Sequence, residues 1–226
     1  MSLNYQSLLL FSLTVISFAI AKIAYHRGKN NILLQPLLVG VILVVFCLYF
    51  LNIPYSQYID SNRIFQWLLG PAVVSLAIPL YKNSHHIRQW LGGVLLTIVI
   101  SASLGVLITW MISQLFELQL NTQIALITKS ATTPIALSIN EVLSGNKALA
   151  ATVVMFTGLF GAMIGPVLLT RLGFHDHRIM GLALGLTSHA IGTQKALEIS
   201  PLCGAFAAFA MTLTGGFLAL VLPFLV

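Results

Sequence analysis

Residues 129–134 read Lys129-Ser130-Ala131-Thr132-Thr133-Pro134, and residues 188–195 read Ser188-His189-Ala190-Ile191-Gly192-Thr193-Gln194-Lys195. Each string interrupts an apolar segment, 120–143 in the first case and 180–199 in the second. Polar, helix-breaking residues are costly in lipid, where every backbone N–H and C=O needs a partner. They persist where they face protein or a water-filled cavity. Pairs of interrupted segments are the best pointer in a sequence to a transport site.

Working outward, charged residues make up 7% of the 226-residue chain and hydrophobic ones 58%. A soluble domain carries about 25% charged residues, so the composition describes an all-α polytopic membrane protein. The apolar stretches are about 20 residues long, which fits spanning helices and not the ~10-residue alternating strands of a barrel. A single transmembrane domain over residues 1–226 is expected, with no sizeable soluble part. The net charge of +6 does not point to nucleic acid, because the basic residues sit at span ends. Cys47 and Cys203 both fall in apolar stretches, which argues against a disulfide or a metal site. The first segment lacks a basic leader and a small-residue cleavage site, and reads as a retained span.

Six plain apolar stretches, about 5–25, 32–51, 65–81, 91–116, 148–169 and 202–226, accompany the two interrupted ones. That predicts about seven or eight transmembrane segments. Basic clusters follow the first stretch (Lys22, His26, Arg27, Lys29), the third (Lys82, His85, His86, Arg88) and the fifth (Arg171 to Arg178). All three clusters face the cytoplasm only if segment 120–143 enters and leaves on one side. A re-entrant or broken helix pair is therefore expected there. Residues 70–108 loosely resemble 185–220, which hints at an inverted repeat suited to alternating access.

Within the first string, Pro134 removes a backbone donor and frees carbonyls near Ser130. Ser130, Thr132 and Thr133 then either cap a proline kink or hydrogen-bond a substrate. Lys129, several residues inside an apolar segment, needs a partner or a cavity. Glu141 is either a helix-end carboxylate or an ion- or proton-coupling group. In the second string, Gly192 permits an unwound backbone, and the half-helix beyond it would aim its amides at an anion. Ser188, Thr193 and Gln194 add hydrogen-bonding groups. His189 titrates in the range useful for proton coupling, or is a buried neutral residue bridging two helices. Lys195 either pairs with Glu198 three residues on or counters a substrate carboxylate. The His85-His86 and His175-x-His177 pairs read as interfacial and not as metal ligands. Gly158, Gly161 and Gly165 read as close helix packing. No nucleotide-binding, hydrolase or metalloprotease pattern is present, so an enzyme and a cofactor are not expected.

The stretches KSATTPIALSINEVLSG (129–145), TGLFGAMIGPVLL (157–169) and GLALGLTSHAIGTQKALE (181–198) resemble the LrgB/CidB family of bacterial inner-membrane proteins, and GPAVVSLAIPLY (70–81) fits as well. The strongest resemblance covers 70–224. It implies one of two functions. One is a holin/antiholin-like system that modulates murein hydrolase export and autolysis with a small LrgA/CidA-type membrane partner. The other is a carrier of small monocarboxylates, of the glycolate or glycerate kind as in plastid relatives or of the pyruvate kind as in bacterial ones. By motif, the resemblance assigns function to Lys129, Ser130, Thr132, Thr133, Pro134, Ser188, His189, Gly192 and Thr193. A homo-oligomer, a dimer in its simplest form, in the bacterial inner membrane is expected. Two departures stand out. Gln194-Lys195 replaces an Ala-Arg pair, which keeps the charge but loses arginine's bidentate geometry. Ala207-Ala208 replaces a Ser pair. The embedded polar strings favour a carrier over a pore, since a pore built by oligomerisation needs no such site at mid-depth.

Overall fold

The computed structural model describes residues 5–28 and 34–225. The basic residue Lys29 and the start of the second apolar stretch, at 32 and 33, lie outside them. All regular structure in the described residues is helical. Five stretches are long and apolar enough to cross a membrane: Tyr5–Arg27, Arg63–Lys82, Leu91–Leu115, Lys147–Arg171 and Pro201–Leu225. Their outward faces carry Leu, Ile, Val and Phe, as lipid contact requires. The composition therefore describes the chain correctly as a helical, polytopic membrane protein.

Two compact units divide the chain after Ser75. The first holds α1 (Tyr5–Arg27), α2 (Pro36–Phe50), α3 (Tyr55–Ser61) and α4 (Arg63–Ser75). There α1 and α2 pack where Gly40 faces the backbone of Phe18. Thr14 of α1 donates to Asn62 Oδ1 at 2.9 Å and shares a hydrogen bond with Tyr58.

The second unit holds α5 (Ala77–Lys82), α6 (Ser84–Gln89), α7 (Leu91–Leu115), α8 (Leu120–Ile127), α9 (Thr133–Val142), α10 (Lys147–Arg171), α11 (His177–Ile199) and α12 (Pro201–Leu225). Two of its segments are hairpins. The backbone N–H of Asn146 donates to the carbonyl of Asn121 at 3.1 Å, so α8 and α9 begin and end side by side. Segment 120–143 thus re-enters, as the charge distribution predicts. At the other hairpin, Ser200 Oγ lies 2.8 Å from His177 Nδ1. A straight helix would separate those residues by roughly 34 Å. The chain instead reverses at His189, whose φ of 38° and ψ of −125° are not helical.

Chain direction then fixes how the hairpins oppose each other. The α8/α9 hairpin opens where α7 ends and α10 begins. α10 crosses to the opposite end, where α11 enters and returns, and α12 crosses back. The hairpins therefore enter from opposite ends of the unit. The reversed relation holds between α8–α10 and α11–α12, a different pairing from the likeness of 70–108 to 185–220. At the α11 mouth, the Arg178 guanidinium sits 4.7 Å from the Trp90 ring centre, which brings the basic ends of α6 and α10 to the same side. Glu117 and the Glu141–Lys147 ion pair lie at the other end.

Candidate functional site

The tip of the first hairpin is built around Thr128. This buried residue donates to the Ala125 carbonyl at 2.9 Å and accepts from Asn140 Nδ2 at 3.0 Å, which ties the return arm to the entry arm. Next to it, Lys129 Nζ donates to Thr109 Oγ1 in the last third of α7. That neutral partner leaves the ammonium without a carboxylate contact among the described residues. Ser130, Thr132 and Thr133 make no side-chain hydrogen bond among the described residues. Hydroxyls elsewhere in the long helices satisfy themselves on the carbonyl four residues back, as Thr97, Ser113, Thr170 and Thr212 do. Those at the tip are left to a ligand or to water. Pro134 does not kink a helix, which removes one of the two alternatives the sequence left open. It occupies the first turn of α9, where its missing N–H is one of the helix's orphan donors in any case. The remaining free amides of that first turn point out of the tip, with the positive end of the helix dipole.

The tip of the second hairpin is buried. His189 is 3% exposed, and its Nε2 lies 3.0 Å from the Val154 carbonyl of α10. A carbonyl can only accept, so Nε2 carries the hydrogen and His189 bridges α11 and α10. Its own carbonyl accepts from Thr193 Oγ1 at 2.8 Å. Thr193 also reaches Met211 Sδ on α12 at 3.8 Å. These contacts hold a non-glycine residue at positive φ, a conformation that costs on the order of 1–3 kcal/mol.

α10 accommodates this tip through its glycines. A Cβ at Gly158 would stand 2.6 Å from the His189 ring, and one at Gly161 would collide with Ser188 Oγ. Gly192 is not the pivot that the sequence suggested. It lies in the return arm, where a Cβ would collide with the Leu184 carbonyl and stand 2.5 Å from Ser188 Cβ. Its role is close approach of the two arms. Lys195 donates to Glu198 at 2.9 Å on the same arm, a turn or more from the tip. Glu141 pairs with Lys147 at 3.0 Å at the exposed mouth of the first hairpin.

Both tips converge on the same stretches of α10 and α12. The Val154 carbonyl takes the His189 hydrogen bond, while its side chain packs with Ile127, Ala131 and Ala136 of the first hairpin. On α12, Met211 meets Thr193, and one turn later a Cβ on Gly215 would lie 2.7 Å from Ile135 of α9. The two polar strings therefore occupy neighbouring levels of one bundle. A separate cavity of about 410 Å³ opens between α7 and α12, lined by Leu104, Leu107, Trp110, Ile127, Phe217 and Val221 among others. Its lining suits acyl chains and not an anion. Among the described residues, no three His, Cys, Asp or Glu side chains gather as metal ligands would. The partners Thr109, Val154 and Met211 come from helices distant in sequence, and no local pattern marks them.

A family model for the LrgB-like family matches residues 14–226. The chain belongs to the LrgB-like family. It is 28% identical over 221 residues to the holin-like protein CidB of Staphylococcus epidermidis, covering 98% of this chain and 96% of that one. It is 33% identical over 211 residues to YxaC of Bacillus subtilis, covering 92% and 90%. It is 30% identical over 213 residues to YwbG of the same organism, covering 94% of each. No solved structure matches the chain.

Proposed function

We propose that this LrgB-like protein is a secondary carrier of a small monocarboxylate of the pyruvate, glycolate or glycerate kind, coupled to protons or another ion. One observation carries the reading: two hairpins enter from opposite ends, and the tip of one holds a lysine, three unpartnered hydroxyls and a helix N-terminus. A pair of opposed hairpins supplies one gate on each side of a central site, which is what alternating access needs. Lys129 neutralises the carboxylate. Ser130, Thr132, Thr133 and the first amides of α9 bind its oxygens. A lysine in the membrane core costs about 2.5–3.5 kcal/mol on insertion scales, and a bound anion offsets that cost. His189 contributes by holding the second tip against α10, and its exchange of a proton is the coupling step we assign to it. The Lys195–Glu198 pair is self-neutralised, and we leave Lys195 outside the anion site. On this reading the protein works in the bacterial inner membrane as a homo-oligomer, with the basic ends of α6 and α10 in the cytoplasm, where the excess of Lys and Arg favours them.

The holin-like name of the CidB relatives supports a second reading, a holin-like membrane role. On that reading the small LrgA/CidA-type partner and the control of murein hydrolase export expected from the sequence would follow. Uptake into proteoliposomes separates the two readings. The carrier reading expects saturable uptake of pyruvate, glycolate, glycerate or lactate that responds to a proton gradient, and its loss in a folded Lys129→Met protein. Size-graded leakage of uncharged solutes, indifferent to Lys129, is the holin-like outcome and overturns the carrier.

A further inference from the structure

Thr214 of α12 is fully buried, and its hydroxyl has no hydrogen-bond partner among the described residues. It departs from the rule its neighbour follows, since Thr212 donates to the Ala208 carbonyl four residues back at 2.8 Å. A buried hydroxyl without a partner is a liability that a valine of the same shape would remove. Its position gives it a use. The entry arm of α11 runs parallel to α12 in constant register: a Cβ at Gly181 would meet the carbonyl of Cys203, and one at Gly185 that of Ala207. That register carries the turn at His189 to the level of Met211, which Thr193 touches. Thr214 lies one helical turn beyond, past the end of the second hairpin. The next residue, Gly215, is the one that abuts Ile135 of α9, two residues after Thr133. Thr214 thus sits on α12 in the interval between the two hairpin tips, on the buried face shared with Ala207 and Met211.

We infer that Thr214 is a substrate-binding and specificity-determining residue, its hydroxyl forming the α12 wall of the site between the tips. This rests on the carrier reading and adds to it a residue from outside both polar strings. The chemistry that uses it is a hydrogen bond to a carboxylate or 2-hydroxyl oxygen held by Lys129 and the α9 amides. Losing one such bond to a bound anion lowers affinity about tenfold.

The test uses the full chain in proteoliposomes, with pyruvate, glycolate and lactate as labelled probes. Thr214→Val should raise KM about tenfold for at least one probe while the melting temperature in detergent holds or rises, because an orphan hydroxyl has been replaced by a methyl group. Thr214→Ser should restore the wild-type KM, and Thr212→Val should leave it unchanged. Wild-type uptake with an unaltered KM in Thr214→Val overturns the assignment of Thr214 alone. A melting temperature that falls as far in Thr214→Val as in Thr214→Ala also overturns it, by showing a structural hydroxyl. Absence of wild-type uptake for all three probes removes the carrier reading and Thr214's role together.

Discussion

The two hairpins make the same reversal by different means. In the second, backbone stands against backbone: the arms meet at Gly192 and the Leu184 carbonyl, and Gly181 and Gly185 bring the hairpin onto the α12 main chain. The Ser188, His189 and Thr193 side chains are buried in that framework. In the first, side chains do the joining, through Asn140 to Thr128 and Lys129 to Thr109, while Thr133 and Pro134 at the tip stay exposed. Contacts between main chains cannot be relaxed by rotating a side chain, whereas hydrogen-bonded side chains can exchange partners. The difference marks the second hairpin as the more rigid of the two and the first as the more adaptable one, with its tip hydroxyls unspent.

The largest effect that could break this comparison is topological. In a chain freed of Cys47 and Cys203, single cysteines at Ser144 and Phe174 report the two hairpin mouths, and both positions are exposed. An impermeant maleimide on intact cells should label Ser144→Cys fully and leave Phe174→Cys unlabelled until the membrane is opened. The direction follows from the arginines and lysine at the Phe174 end. Labelling of both from one face removes the opposed arrangement.

Packing sharpens the contrast at intermediate scale. Gly192→Ala drives a methyl group into the Leu184 carbonyl, and overpacking of that kind costs about 1–3 kcal/mol. Gly215→Ala meets the end of the Ile135 side chain, which can rotate away, so its cost should stay near the ±0.5 kcal/mol of a tolerated change. Melting of the detergent-solubilised proteins compares the two. Equal losses would mean that the two hairpins are equally rigid, and the distinction would go.

These contrasts also explain what the sequence could and could not reveal. Membrane insertion was legible because 7% charged residues leave no other class. The re-entry of 120–143 was legible because charge has to be distributed across the bilayer. The pivot of the second hairpin was not. Gly192 is the residue a local argument selects, since glycine is permissive, yet the turn falls on His189, whose ring is held by the Val154 carbonyl and whose own carbonyl is held by Thr193. Lys195 had its partner three residues away in the sequence, and the structure uses it. Thr109 stands 20 residues from Lys129 on another helix, and Thr214 lies beyond the last polar string. Neither carries a local signal, because what singles them out is a missing or unusual hydrogen bond, a property of the folded bundle alone.

The smallest expected effect compares the two hairpin mouths. Glu141 and Lys147 form an exposed pair whose side chains are 70% and 50% accessible, and such pairs contribute about 0–1 kcal/mol. Asp176 does more. It caps α11 by accepting from the Arg178 N–H at 2.8 Å, and it takes both oxygens to the Arg178 guanidinium, which packs on Trp90. Hydrogen bonds from the Arg178 side chain hold its carboxyl below the usual carboxylate range, against a burial contribution that raises it. A depressed folded-state pKa adds stability above the unfolded value, near pH 3.9, and that stability is lost as pH falls through the folded value. Asp176→Ala should therefore cost about 1 kcal/mol at pH 7, as loss of a helix cap does, and the gap to wild type should shrink on titration toward pH 3. Glu141→Ala should be close to neutral across the same range. A gap at Asp176 that is unchanged from pH 7 to pH 3 would assign its contribution to geometry alone and remove the charge difference between the two mouths.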